Sequence, residues 1–308
     1  MIRWNEGVLA AKLRIGSTRK TLVLILLAFF FGAEVARATV VTDEVGRTVL
    51  LPEQVNRIVS LAPSITEIIF AVGAGERLVG VSQFSNYPPQ ASSLTKVGSY
   101  VQPSIEKILA LRPDLVIGIK DGNPVAVIER LTELKIPTFI VNPKSLEEVV
   151  VTIKNIGRVI GAGDRSAILA KRLTMRIREV EQKVREAPRP KVFFQIGFEP
   201  IVSAGSGTFI DALIRRAGGY NVAGSWSGYP HLNVEQILMA RPEIIFTAGM
   251  ADNMILPKVK HFWQQWPDIP AVKKNEIHSI DADICYRPSP RLIEGLEALA
   301  RKIHPERF

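Results

Sequence analysis

The chain has 308 residues, 47% of them hydrophobic, and one cysteine, Cys285, so two domains with packed cores are affordable and an intramolecular disulfide is excluded. Its formal net charge is +9, but six basic and two acidic residues precede position 39, leaving 33 against 28. With that mild balance and no basic run interleaved with aromatics, nucleic-acid binding is excluded.

"RKTLVLILLAFFFGAEVARA" (Arg19–Ala38) has a basic start, an apolar stretch from Thr21 to Ala33 and an Ala-x-Ala end. That is the pattern of a secretory signal peptide, and its apolar core is too short for a membrane span. Residues 1–38 are expected to be removed by cleavage after Ala38. The residues ahead of Arg19 make a long leader start, so the true start codon is expected further in. No cysteine directly follows the apolar segment, which points to a soluble exported protein rather than a lipid-anchored one.

From Asn56 the chain alternates strand and helix signals. "NRIVSLAPSITEIIFAVGAGERLVGVS" (Asn56–Ser82) predicts a strand, a loop, a helix ending at glycine and a short segment reaching Gly-x-Ser. "QFSNYPPQ" (Gln83–Gln90) and "GSYVQP" (Gly98–Pro103) follow as loops carrying Phe84, Tyr87 and Tyr100. In "SIEKILALRPDLVI" (Ser104–Ile117), Ser104 is a helix N-cap and Ile105, Ile108 and Leu109 recur at helical spacing. Arg112–Pro113 ends that helix, because proline disfavours helical geometry in the residue before it. "DLVIGI" then reads as a buried strand. "IERLTELKIPTFIVN" (Ile128–Asn142) gives a helix, Ile-Pro and a strand, and "SLEEVVVTIKNIGRVIG" (Ser145–Gly161) a closing helix.

Next comes "DRSAILAKRLTMRIREVEQKVREAPRP" (Asp164–Pro190), where Leu169, Leu173, Ile177, Val180 and Val184 form one apolar stripe and no glycine intervenes up to Ala187. A single helix over 164–188 is predicted, roughly 30 Å long at the standard rise. A Gly/Ser hinge would permit large relative motion; this segment is a strut.

Beyond it the earlier pattern returns. "PKVFFQIGFEPIVSAGSGTFIDALIRRAGGYNVAGS" (Pro190–Ser225) echoes 56–82, and "GSWSGYPHLN" (Gly224–Asn233) is a second aromatic loop, with Trp226 and Tyr229. "NVEQILMARPEIIF" (Asn233–Phe246) repeats the segment at Ser104 in register, 129 positions later. "HFWQQWPDIPAVKKNEIHSID" (His261–Asp281) matches 128–142 as helix, Ile-Pro and strand, and "SPRLIEGLEALARKIHP" (Ser289–Pro305) matches the helix at 145–161. The period far exceeds that of solenoid repeats. The predicted fold is therefore α/β: two Rossmann-like lobes, 39–163 and 189–308, with mostly parallel sheets, joined by one long rigid helix.

Catalytic signatures are missing from the sequence: there is no Gly-x-Ser-x-Gly elbow, no His-Glu-x-x-His and no P-loop. "AGSGTF" (Ala204–Phe209) resembles a phosphate-cradling loop only weakly, and His231, His261, His278 and His304 lack metal-ligand spacing. An exported hydrolase is thus the weaker class. The aromatic loops say more. In open α/β sheets ligands bind outside the carboxyl ends of the strands, so facing lobes would bring these rings across one cleft. Flat rings on both walls suit a large, planar, partly apolar ligand; packing of the loops themselves is the alternative. His231, two residues after Tyr229, is a candidate axial ligand for a metal in such a guest, against a plain loop histidine. Glu106 and Glu235 hold equivalent places in the first turns of the repeated helices. Each complements the positive helix end; both together would also suit docking onto a two-fold symmetric partner.

"APSITEIIFAVGAGERLVGVSQFSNYPPQ", "SIEKILALRPDLVI", "FFQIGFEP" and "RPSPR", in that order over nearly all of 55–305, resemble the periplasmic cobalamin-binding receptors of bacterial ABC importers. More broadly, the chain is similar to the helical-backbone class of solute-binding proteins, which includes haem and siderophore binders. The resemblance implies a non-enzymatic, periplasmic, monomeric receptor whose lobes move little. It has no cofactor of its own, takes cobalamin or a related corrinoid as transported ligand, and partners the importer's permease subunits. It further implies ligand contacts at Phe84, Tyr87, Tyr100, Phe198, Trp226, Tyr229, Asp283, Tyr286 and Arg287, and permease docking by Glu106 and Glu235. Phe84 stands where the family carries a tyrosine, Tyr100 and Tyr229 where it carries tryptophans, and Tyr286 where it carries an acid. The rings are kept while the polar handles change, which leaves the particular corrinoid open.

Overall fold

The computed structural model of the protein describes residues 39–249 and 255–308; the expected signal peptide and its cleavage after Ala38 lie outside them. An antiparallel hairpin, β1 (Thr39–Thr42) and β2 (Thr48–Leu51), comes first. It docks on the first lobe through the Glu44 N–H, which donates to the Ile140 carbonyl at 3.0 Å.

The first lobe runs β3 (Ile58–Ser60), α1 (Pro63–Ala71), β4 (Leu78–Val81), α2 (Ile105–Ala110), β5 (Leu115–Ile119), α3 (Val125–Glu133), β6 (Thr138–Val141) and α4 (Leu146–Val159). Its strands lie in the order β4-β3-β5-β6, all parallel. Every residue of β5 is buried, as expected of a strand covered on both faces. After the connector α5 (Gly163–Val184), the second lobe runs β7 (Lys191–Gln195), α6 (Phe209–Arg216), β8 (Tyr220–Asn221), α7 (Val234–Ala240), β9 (Ile244–Gly249), α8 (Ile255–Trp263), α9 (Pro270–Lys273), β10 (Ile277–Asp281), α10 (Ala282–Tyr286) and α11 (Leu292–Ile303). Its order, β8-β7-β9-β10, repeats that of the first lobe. In both, the order reverses beside the first strand, between β3 and β5 and between β7 and β9, which is where open α/β sheets offer a crevice.

The duplication reaches single hydrogen bonds. In the first lobe the Asp114 carboxylate accepts the Asn56 and Arg57 backbone N–H groups, both at 2.9 Å, and the Arg57 side chain donates to the Leu111 carbonyl at the end of α2. In the second lobe Glu243 accepts the Lys191 N–H at 2.9 Å, and Lys191 Nζ donates to the Ala240 carbonyl at the end of α7. Ser104 and Asn233 cap α2 and α7 as read from the sequence, accepting the Lys107 and Gln236 N–H groups. Both helices leave through an arginine in the left-handed region, Arg112 at φ 45° and Arg241 at φ 50°. One correspondence fails. The second Ile-Pro does not lead directly into a strand; Pro270 occupies the first turn of α9, a position its fixed φ suits, and β10 begins only at Ile277.

Of the connector's stripe, Leu169, Leu173, Ile177 and Val180 are buried in one continuous core that takes in residues of both lobes, and Val184 is buried beyond it. Arg176 binds Glu297 of α11 through two bonds, 2.7 and 2.8 Å long. Arg216 of α6 pairs with Glu181 of α5 and, at 2.6 Å, with Glu147 of α4. Helix, first lobe and second lobe are thereby tied at the back of the molecule.

Candidate ligand-binding cleft

Apart from Phe198, the sequence-singled aromatics stay out of the core, on loops at the carboxyl ends of the strands and, for Tyr286, at the end of α10. Phe84, Tyr87, Tyr100, Trp226, Tyr229 and Tyr286 are all exposed, from 37% for Tyr286 to 60% for Tyr229. Exposed rings of this size oppose the hydrophobic effect, so loop packing alone does not account for them.

Buried polar groups position the first-lobe rings. Asn123, 5% exposed, accepts the Ile119 N–H at 2.7 Å and donates to the carbonyls of Leu61 at 3.2 Å and Tyr100 at 2.7 Å. It thereby joins the ends of β3 and β5 to the loop that holds Tyr100. The Tyr100 ring lies over Gly122, where a Cβ would come within 2.7 Å of it. Under the Phe84–Tyr87 loop runs a chain of hydroxyls, Ser60 to Thr66 to Ser85 to Ser82, each step 2.9 Å. Lys96 Nζ donates to the Ser85 and Ala91 carbonyls at 2.9 and 2.8 Å. Burial lowers the pKa of that ammonium.

In the second lobe "AGSGTF" proves to be a scaffold for Trp226. The Ser206 N–H donates to the Trp226 carbonyl at 2.7 Å, and a Cβ on Gly205 would stand 2.0 Å from the same oxygen. Burial raises the pKa of the Tyr286 hydroxyl, with the neighbouring Cys285 and Tyr229 adding to the effect, and burial also raises that of Tyr229. Phe198 is not gathered with these rings; it is half-buried and meets Phe262 edge-on at 5.0 Å. His231 is exposed and its backbone bridges to Val202. Among the described residues no cluster of His, Cys, Asp and Glu is arranged to hold a metal ion.

The lobes meet at the cleft through a carboxylate that the sequence did not single out. Glu67 of α1 is 1% exposed at its side chain and accepts from Ser289 at 2.6 Å and from Arg287 at 2.9 Å, both residues of the second lobe. Arg287 also pairs with Asp283 at 2.8 Å and donates to Asn86 Oδ1 at 2.8 Å and, more weakly, to the Phe84 carbonyl at 3.4 Å. The Arg291 guanidinium lies 4.1 Å from the centre of the Tyr87 ring, a favourable cation–π geometry. Burial pushes the Glu67 carboxyl above its ordinary value, opposed by the Ser289 and Arg287 bonds and the charges of Arg287 and Arg291. Arg287 thus ties the lobes together, with Asp283 holding it from its own lobe. A separate cavity of about 550 Å³ lies beside the connector, lined by Lys144, Arg185, Arg189 and Arg216 among others; it has no aromatic lining.

Glu106 and Glu235 are exposed in the first turns of α2 and α7. Its own backbone N–H and the Ser104 hydroxyl hold the Glu106 carboxyl below its usual range. Glu67 and Asn123 were missed from sequence. "SITEII" reads as an ordinary stretch of helix, and a single Asn in "DGNP" reads as a turn residue.

Comparison with known proteins places this architecture. The profile of the family described as periplasmic binding protein matches residues 58–284. The vitamin B12-binding protein of Vibrio parahaemolyticus is 30% identical over 239 residues, covering 76% of this chain and 84% of that protein. Among solved structures, the periplasmic vitamin B12 binding protein of Vibrio cholerae superposes with a TM-score of 0.73 at 30% identity, over 82% of this chain and 97% of that one. The periplasmic heme-binding protein of Roseiflexus sp. RS-1 gives a TM-score of 0.73 at 28% identity, over 82% and 100%.

Proposed function

The chain belongs to the periplasmic binding protein family, and from that premise we propose that it is the exported solute receptor of an ABC importer, capturing cobalamin or a related corrinoid between its lobes. It is a binding protein, not an enzyme. The observation that carries the choice of ligand is the set of exposed rings on both lobes: Phe84, Tyr87 and Tyr100 on one, Trp226, Tyr229 and Tyr286 on the other. Such faces offer apolar area and dispersion to both sides of a macrocycle, and the loop phenol and amide groups remain for its polar rim.

In this reading the leader ends at Ala38, the mature protein is a periplasmic monomer, and cobalamin is cargo rather than cofactor. The buried connector core and the Arg216 and Arg287 ties support lobes that hold their spacing, so capture needs little rearrangement. Glu106 and Glu235 dock the loaded receptor on the permease. The haem-binding relative makes haem the comparison ligand. The test is equilibrium dialysis and Trp/Tyr fluorescence quenching with cobalamin, cobinamide, haem and ferric siderophores. Saturable binding of the corrinoids, tighter than of haem or siderophore, is expected; binding of haem or a siderophore alone overturns the assignment.

A further inference from the structure

The cationic groups at the cleft are already spoken for. Arg287 and Arg291, each with a side chain 14% exposed, share Glu67 at 2.9 and 3.7 Å. Arg287 has Asp283 as well, at 2.8 Å, and Arg291 has Asp281 at 3.3 Å and Glu294 at 3.8 Å. Two guanidinium groups therefore face four carboxylates. Lys96, the cation on the neighbouring first-lobe loop, spends its ammonium on the Ser85 and Ala91 carbonyls. Opposite these charges lie Phe84, Asn86 and Tyr87, none of which bears charge.

A ligand carboxylate entering this end of the cleft would have to leave water beside a locally negative cluster whose cations, Arg287 and Arg291, are already paired. A carboxamide in the same place meets only hydrogen-bonding groups. We propose that Glu67, by neutralising Arg287 and Arg291 from the opposite lobe, makes the cleft select macrocycles with a neutral, amide-bearing rim and reject those whose rim carries carboxylates. This rests on the corrinoid reading above and adds to it the feature that discriminates among flat ligands. It separates a corrinoid, ringed with carboxamides, from haem, with two carboxylates, although both offer the same kind of planar face to the aromatic loops.

Selection of this kind works by an unfavourable contact with the wrong ligand rather than a better contact with the right one. Glu67 suits the task because it is fixed: Ser289 donates to one oxygen at 2.6 Å and Arg287 to the other at 2.9 Å, so the charge cannot swing away to admit an anion.

The experiment measures affinity for cyanocobalamin and for its monocarboxylate derivatives, made by mild hydrolysis of single ring amides, with the intact protein and with Glu67→Gln. For the intact protein, at least one monocarboxylate should bind at least about tenfold more weakly than the parent, as like-charge juxtaposition demands. Glu67→Gln should narrow that gap, chiefly by tightening the carboxylate forms. Asp283→Asn, which removes one of the two carboxylates paired with Arg287 without touching the buried Glu67, should move the gap the same way and serves if Glu67→Gln does not fold. Equal affinity of the intact protein for parent and all monocarboxylates overturns the inference while leaving the corrinoid reading in place. An unchanged gap in folded variants overturns the role of Glu67. Binding of haem but of no corrinoid overturns both.

Discussion

A ring that grips a flat ligand has to stay out of the hydrophobic core, so something other than burial must hold it still. Here backbone anchors do so: Asn123 holds the carbonyl of Tyr100 at 2.7 Å, and Ser206 holds that of Trp226 at the same distance. With the scaffold fixed separately, removing a ring should cost binding and little stability. Tyr100→Ala or Tyr229→Ala is expected to weaken corrinoid binding by about 1–3 kcal/mol, as for aromatic anchors at interfaces. Fluorescence titration of both folded variants checks this, and unchanged affinity in both removes the rings from the site. The anchor itself is open to a sharper test. Gly205→Ala places a Cβ within 2.0 Å of the Trp226 carbonyl, a backbone atom that cannot rotate aside. The Trp226 loop should shift, lowering ligand affinity and changing the fluorescence response while far-UV circular dichroism stays native. An unaltered titration would mean the loop's position is irrelevant to binding.

At the scale of elements, the two copies of one unit should respond alike to the same change, but not equally. Asp114 accepts two backbone N–H groups at the start of β3, whereas Glu243 accepts one at the start of β7. Hydrogen bonds to a charged acceptor are worth more than neutral ones, less so at an exposed site, so Asp114→Ala should cost about 1–2 kcal/mol and Glu243→Ala distinctly less. Urea denaturation of the two variants measures the difference; the reverse order would show that these bonds do not hold the strand starts. The repetition that makes this comparison possible was readable in the sequence, because caps, Arg-Pro exits and buried strand runs are local patterns. The second Ile-Pro was misplaced because proline suits a helix's first turn as well as the residue before a strand, and only Glu276 and Ile277, further on, decide where β10 starts. Glu67 was not readable at all. In α1 every residue from Ser64 to Ile69 is buried, since the helix lies between its own sheet and the other lobe, so no polar face marks the carboxylate out. Phe198, whose motif resembles a ligand loop, packs edge-on against Phe262, a contact that nothing in its local sequence announces.

For the molecule as a whole, the question is how the proposed cleft would be presented to the proposed permease. In a parallel α/β sheet the crossover helices run against the strands, so the first turns of α2 and α7 lie at the carboxyl edge that carries the aromatic loops. Glu106 and Glu235 therefore mark the cleft side, one per lobe, and both carboxylates reach water. Arg176–Glu297, the two Arg216 pairs and the Glu67–Arg287 tie link the lobes, which favours a set spacing of the two acids. Two negative groups at a set separation fit a partner that presents two cationic sites, and such contacts govern orientation and association rate as much as affinity. Glu106 has a local role too, since the Ser104 hydroxyl donates to its carboxylate at 2.9 Å; Glu235 is free of that bond because Asn233 is engaged with Gln236. The expected result for Glu106→Ala combined with Glu235→Ala is unchanged corrinoid affinity, lost transport and weakened binding to the cognate permease. Docking of the unmodified protein should also weaken as salt screens the charges. If the double variant docks normally but loses stability, with Glu106→Ala alone responsible, helix capping is the whole role of these acids and the docking assignment is wrong.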